Sequence, residues 1–271
     1  MRLAFVSDIH GNLAALDAVI ADMSHRKIQC VVNLGDSLSG PLLPIETAAR
    51  LQNLPWLHVA GNHERQLLSL PIERQNLSDA YTSTQLNPLV KNWLTSHADP
   101  ADPRLHTAQI WPEQLGHDVA LCHGSPRSDI EYLLETPEGE SARLANVTEI
   151  EERLAGLIQE NISLLACGHS HVPRTVRWRS KLLIINPGSV GLPAYDDDHP
   201  YPFSRFHRIE NGSPDARYAV VEKSAGHWHC ELISVPYDHE SMAILADKRD
   251  RPDWAHALRT GWMPRVRTKE N

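Results

Sequence analysis

Five short stretches gather the polar residues able to hold a cation. Asp8 and His10 lie in SDIHGN, Asp36 in LGDSLSGP, Asn62 and His63 in VAGNHE, His123 in LCHGSP, and His169 and His171 in CGHSHVPR. Each stretch follows an apolar run of strand character. Two carboxylates, four imidazoles and the Asn62 amide oxygen form a mixed nitrogen–oxygen donor set suited to manganese, iron, zinc, cobalt or nickel. Seven donors are too many for one ion and suit two ions about 3.5–4 Å apart with a shared carboxylate. Such a pair polarises a phosphoryl oxygen and lowers the pKa of a shared water towards about 7, making hydroxide available. In an extended chain residues i and i+2 face the same side, so Asp8 with His10, and His169 with His171, can each aim two donors at one pocket. Gly35, Gly61, Gly124 and Gly168 adjoin the candidates and let the backbone turn tightly. Each piece alone has a plainer reading: a DxH turn or helix cap, Asp36 as a loop opener, His123 as a half-buried structural histidine. Their ordered recurrence at strand ends outweighs those readings.

The elements that must position them follow from periodicity. Residues 3–7 read as a buried strand, and Leu13, Leu16, Val19, Ile20 and Met23 recur at helical spacing between Asn12 and Lys27. Strands over 30–35 and 56–61 alternate with helices over 44–52, opened by Pro44, and over the residues after Glu64. This βαβαβα rhythm predicts parallel strands joined by crossover helices, whose carboxyl ends share one ligand-binding edge. Further on, 86–97 reads as helical, 104–111 and 118–124 as strands. Thr148 with Glu151 fits a capping box opening a helix with Ile150, Leu154, Leu157 and Ile158 on one face. Strands over 164–168, 174–178, 181–188, 218–223 and 229–235 predict a second, partly antiparallel sheet, and 239–260 reads as helical. No repeat or flexible linker interrupts the chain, so a single domain over 1–271 is expected.

The chain has 271 residues, 41% of them hydrophobic, and a net charge of −8, which argues against a nucleic-acid surface built on Lys and Arg. Four dispersed cysteines form no CxxC pair, so neither a disulfide framework nor a thiolate zinc site is expected. No apolar segment is long enough to span a bilayer, and Asp8 interrupts the first apolar run too early for a signal sequence. A cytoplasmic location, no membrane partner and a small phosphoester as partner are the expectation; a homo-oligomer is left open. Sixteen histidines make residue type uninformative by itself, so placement decides.

The series DxH, GD, GNHE, HG and GHxH resembles the calcineurin-like metallophosphoesterases, most of all the small bacterial branch of phosphodiesterases and diadenosine tetraphosphatase-like proteins. NPGSVG, SPDARYAVVE and PYDHES are similar to later family segments, so the resemblance spans nearly the whole chain. It implies an α/β fold, a four-layer αββα sandwich of two mixed sheets flanked by helices. It also implies two divalent transition-metal ions, manganese foremost. One would sit on Asp8, His10, Asp36 and His171, the other on Asp36, Asn62, His123 and His169, with Asp36 bridging. A metal-bridging hydroxide would be the nucleophile, and His63 the catalytic general acid on the leaving oxygen. Glu64 would orient a ligand or charge the helix N-terminus.

Two departures from the family pattern matter. Many members carry a second acidic residue soon after GD, where this chain reads SLSG. The passage 195–212, YDDDHPYPFSRFHRIENG, looks like an insertion, either a surface hairpin or a lid over the metals. Arg127 and Arg174 follow HGSP and GHSHVP closely; each either steadies a phosphate through a bidentate contact or is a solvated surface residue. The competing functions are a non-catalytic interaction scaffold on the same fold and a protein serine/threonine phosphatase.

Overall fold

The protein is described here by a computed structural model covering residues 2–110, 118–154, 157, 161–197 and 206–265. Its first half alternates as read: β1 (Arg2–Val6), α1 (Leu13–His25), β2 (Cys30–Asn33), α2 (Pro44–Gln52), β3 (Leu57–His58) and α3 (Asn62–Ser69). Helices α4 (Leu77–Gln85) and α5 (Pro88–Ala98) follow, then β4 (Gln109–Ile110), β5 (Val119–Leu121), β6 (Glu135–Glu138), β7 (Ser141–Leu144) and α6 (Val147–Leu154). Next come β8 (Leu164–Ala166), β9 (Arg174–Trp178), β10 (Leu182–Asn186), β11 (Ala194–Asp197), β12 (His207–Glu210), β13 (Ala216–Ser224) and β14 (His227–Val235). Helices α7 (His239–Asp247) and α8 (Pro252–Thr260) end the described chain.

Two five-stranded sheets result, ordered β14-β13-β1-β2-β3 and β4-β5-β8-β10-β9. Both are mixed. In the first, β1, β2 and β3 run parallel while β13 and β14 add antiparallel. In the second, β5, β8 and β10 are parallel and β4 and β9 close the edges antiparallel. Side-chain alternation shows why the sheets stack. Leu3 and Phe5 of β1 meet Val119, Leu121, Leu183 and Ile185 of the other sheet in one buried cluster. Ala4 and Val6, pointing the opposite way, pack on Leu16, Val19 and Met23 of α1. On the far side Ala120, Leu165 and Ile184 pack on Ile150 and Leu154 of α6. Both faces of each sheet are covered, giving the four-layer αββα sandwich expected.

Several local readings are corrected. The third strand is only Leu57–His58, and 104–111 is a 3₁₀ turn over Pro103–His106 followed by the two residues of β4; Trp111 lies outside the described residues. Helix α4 was not anticipated, because its polar sequence shows little periodicity. The capping box of α6 is Asn146 with Glu149, not Thr148 with Glu151. The Glu149 N–H donates to Asn146 Oδ1, and the Asn146 N–H donates back to the Glu149 carboxylate. An amide at the cap thus displaces the start by two residues; Ile158 lies outside the described residues. In the insertion, β11 and β12 pair as an antiparallel ribbon, while 198–205 lie outside the described residues. A second small ribbon, β6 with β7, was not foreseen.

Candidate metal centre

The carboxyl ends of β1, β2, β3, β5 and β8 lie on one edge, and the candidate donors leave from them. Two groups of side chains form, all buried except the half-buried His169. Asp8, His10 and His171 place ligand atoms within 4.8 Å of one another, and so do Asp36, His123 and His169. Asn62 joins the second group, its Oδ1 3.1 Å from His123 Nε2, which is also 3.0 Å from Asp36 Oδ2. Within the first group His10 and His171 face each other Nε2 to Nε2 at 3.1 Å, and His171 Nε2 lies 3.3 Å from Asp8 Oδ1; the two groups abut where His123 Nε2 lies 4.0 Å from Asp8 Oδ1.

The backbone achieves this differently from the extended geometry expected. Asp8, His10, Asp36, His169 and His171 all have φ between 52 and 65°. Side chains rarely accept this left-handed region, so each costs about 1 kcal/mol or more. The loops at Asp8 and His169 are held by bonds from later in the chain. Ser189 Oγ donates to the Asp8 carbonyl at 2.8 Å, and Asn186 Nδ2 to the Gly168 carbonyl at 2.7 Å, which gives NPGSVG its role. Gly168 is required, since a Cβ there would meet Ser7 Oγ and Asp8 Oδ2. The Glu64 carboxylate, fully buried, accepts the N–H groups of Gly61 (2.8 Å), Asp36 (2.8 Å) and Ser37 (2.7 Å). It caps α3 and restrains the Asp36 loop at once, so both readings of Glu64 hold.

Three imidazoles share one tautomeric constraint. The Nδ1 atoms of His10, His123 and His171 lie 2.7–2.8 Å from the carbonyl oxygens of Ser39, Leu34 and Leu192. Each carbonyl can only accept, so Nδ1 carries the proton and a neutral ring presents a bare lone pair at Nε2. Burial first, then the neighbouring His171, pull His10 down to about 4; burial and His123 pull His169 down to about 3. Burial also opposes the charge on His123, but Asp36 and Asp8 outweigh it and lift that ring to about 10. Against the same burial, His123 and His63 hold Asp36 well below the usual carboxylate range, and His171 and His123 lower Asp8. His169 Nε2 and both Asp8 oxygens are buried and receive no well-formed hydrogen bond from a described residue. Buried orphan acceptors, with imidazole lone pairs converging on them, are what a cation would satisfy. The donor set therefore fits two divalent ions.

Five of the seven donors, His10, Asp36, Asn62, His169 and His171, line the floor of a cavity of about 690 Å³. His63 lines it but stands apart from the ligand groups, with 19% of its side chain exposed. Its N–H donates to Asp36 Oδ1 at 3.0 Å, its Nδ1 lies 2.8 Å from Asp79 Oδ1, and its Nε2 is 4.0 Å from Asp36 Oδ2. Burial opposes charge on this ring, yet Asp79 and Asp36 raise it to about 10. Asp79 went unread in the sequence; the spacing of Asn76 and Asp79 marks a helix start, but nothing local points to His63. Arg127 and Arg174 do not reach the cavity. Their guanidiniums clasp buried Glu131 (2.8 Å) and Glu135 (2.7 Å). Releasing either would strand a buried carboxylate, so in this arrangement both arginines are engaged away from the cavity. Arg74 does line the cavity and makes no ion pair among the described residues, whereas Arg251 is held by Asp253 (2.7 Å) and Ser78 (3.0 Å). Further walls come from Tyr195, Asp196 and Asp197 of β11, Phe206 just before β12, and Trp254 of α8.

Comparison with known proteins agrees with this fold. A structure of a metallophosphoesterase from Sphaerobacter thermophilus is 24% identical, covers 97% of this chain and 100% of its own, and superposes with a TM-score of 0.68. A hypothetical protein from Pyrococcus horikoshii OT3 has the same fold at 18% identity and a TM-score of 0.67, covering 97% of this chain and 99% of its own. An uncharacterised protein of Methanocaldococcus jannaschii is 25% identical across 93% of this chain and 94% of its own length. The model of the calcineurin-like phosphoesterase superfamily domain matches residues 1–204, the stretch that holds every candidate donor. The chain therefore belongs to the calcineurin-like phosphoesterase superfamily and is a metal-dependent phosphoester hydrolase.

Proposed function

We propose that the chain hydrolyses a small phosphodiester or a related phospho-metabolite, including dinucleotides, at a pair of divalent cations, manganese foremost. The observation that carries this reading is the set of buried atoms to which no described residue gives a well-formed hydrogen bond, both Asp8 oxygens and His169 Nε2, beneath an open cavity of about 690 Å³. Asp8, His10 and His171 would hold one ion and Asp36, Asn62, His123 and His169 the other, with Asp36 serving both. When bound, such ions supply Lewis acidity to phosphoryl oxygens and hydroxide from water near neutral pH. The chain's own residues do the rest. The His63 N–H takes one Asp36 oxygen and leaves Oδ2 to the donors. His63 Nε2, on the cavity side, delivers a proton to the departing oxygen. Arg74, which makes no ion pair among the described residues, offers a cation for a second anionic group. The cavity volume falls in the range that takes ligands well beyond a phosphate ion, which favours an ester with a sizeable organic group.

Four free cysteines, two of them buried, fit a reducing cytoplasm. Among the described residues no helix is long and apolar enough to cross a membrane.

The test is turnover of bis-p-nitrophenyl phosphate with manganese, before and after chelation, beside a dinucleotide panel and a phosphopeptide. His63→Ala is expected to keep its metal content and lose about 10²–10⁴-fold in rate on esters with poor leaving groups. Absence of turnover with every divalent metal, despite bound ions, would replace this reading with a non-catalytic scaffold; preference for the phosphopeptide would replace it with a protein phosphatase.

A further inference from the structure

Helix α4 brings a carboxylate to the back of His63. Asp79 is fully buried, and its Oδ1 sits 2.8 Å from His63 Nδ1. The other oxygen is spoken for. Asn76 Nδ2 donates to Asp79 Oδ2 at 3.2 Å, and the Asp79 N–H donates to Asn76 Oδ1 at 2.9 Å. That reciprocal cap needs only Oδ2 and the N–H, so helix formation does not explain why Oδ1 meets the imidazole.

The helix is also fixed on both sides of Asp79. Ser78 Oγ accepts from Arg251 Nη1 at 3.0 Å. Thr82 Oγ1 accepts the Gly40 N–H at 3.1 Å and donates to the Leu38 carbonyl at 3.3 Å, tying α4 to the loop that follows Asp36. A carboxylate oxygen can only accept, so Nδ1 carries the proton. The ring is then pinned at Nδ1 and by its own backbone N–H on Asp36 Oδ1. What remains is Nε2, on the side of the cavity and 4.0 Å from Asp36 Oδ2.

We propose that Asp79 is the positioning residue for His63: by accepting the Nδ1 proton it locks the imidazole with Nε2 towards the cavity, so that this nitrogen alone meets the leaving oxygen. The inference rests on the reading of His63 as proton donor. An unpinned ring can rotate about its Cβ–Cγ bond and present carbon or Nδ1 instead, which costs rate without costing substrate or metal binding.

The experiment compares two phosphodiesters on the manganese-loaded full chain: one releasing p-nitrophenolate, which leaves without protonation, and one releasing an alkoxide, which needs it. Asp79→Ala is expected to lower kcat on the alkyl ester by about 30- to 300-fold, with KM and metal content within about twofold and the nitrophenyl rate within about threefold. Asp79→Asn keeps the volume and one acceptor, and is expected to lose about 3- to 10-fold on the alkyl ester alone; it carries the same test should the alanine variant not fold. In the His63→Ala background neither substitution is expected to lower the rate further, because a residue acting through His63 has nothing left to position. Equal loss on both esters, loss of metal, or a loss that persists in the His63→Ala background would overturn the inference. An alkyl-ester rate that His63→Ala leaves unchanged would overturn the proton-donor reading and this inference with it. A slow His63→Ala beside unaffected Asp79 variants would overturn only the role of Asp79.

Discussion

Glu64 is the residue whose removal should couple stability to the metal centre most directly. Its carboxylate receives three backbone N–H groups, from Gly61, Asp36 and Ser37, in a site without solvent. In Glu64→Ala all three donors lose their acceptor, and each buried unpaired N–H costs about 1–3 kcal/mol. The sum is an upper bound. Burial first and the charge on Asp36 second push the Glu64 carboxyl above its ordinary value, so the native arrangement already carries a cost that the variant sheds. A net loss of about 3–5 kcal/mol is expected for Glu64→Ala. Glu64→Gln should lose about 2–3 kcal/mol, because its amide can satisfy one side only and turns an N–H towards another N–H. At about 2.1 cal/mol/K per residue, a loss of 4 kcal/mol moves the midpoint of this chain by about 7 °C. Calorimetry at neutral pH with chelator present measures it. The same loop carries Asp36, so metal affinity should fall by about 10- to 100-fold, read by titration with manganese. A Glu64→Gln protein that melts within a degree of the native chain and binds manganese equally well would refute the view that this carboxylate fixes the loop.

Two further outcomes follow from groups already described or near them. Saturating manganese should raise the melting point of chelator-treated protein, by about 2.7 kcal/mol in stability at a hundredfold excess over Kd, because buried Asp8 and His169 acceptors then gain a partner; no shift by differential scanning fluorimetry would deny the ion site. His58 and His97, with ring centroids 5.3 Å apart, are pulled down to about 4 and about 3 by burial, with the His58 charge adding to the latter. The unfolded chain therefore takes up protons first as pH falls through 6.5, and stability present above that pH is lost towards pH 4. His97→Gln should shrink the pH 7 to pH 5 stability difference by about 1–2 kcal/mol, measured by urea titration at both pH values; an unchanged difference would contradict the shift.

The sequence made the first half of the fold legible because each parallel strand is a short apolar run with a polar exit, and because α1 and α2 carry clear 3.6-residue spacing. Helix α2 was placed to the residue, since Pro44 both opens it and fixes its first φ. The donors were legible for the same reason: Asp8, Asp36, His123 and His169 each follow an apolar run. What could not be read was anything set by contact at a distance. Five donor positions have left-handed backbone, and the bonds that restrain it at Asp8 and beside His169 come from Ser189 and Asn186, later in the chain. The carboxylates facing Arg127 and Arg174 are Glu131 and Glu135, residues with no marking in the local pattern. Asp79 sits in a helix whose polar sequence hides its buried face.

The cavity draws its floor and part of its walls from different stretches of chain. Every donor lies at or before His171, whereas Tyr195, Phe206, Arg251 and Trp254 close the sides from later positions. Changes in the late segments can therefore reshape what the opening admits while leaving the reacting end untouched. Divergence in selectivity and preservation of chemistry become separable in such a chain, and exchanging residues 192–265 between relatives is the natural way to transfer preference for one ester over another.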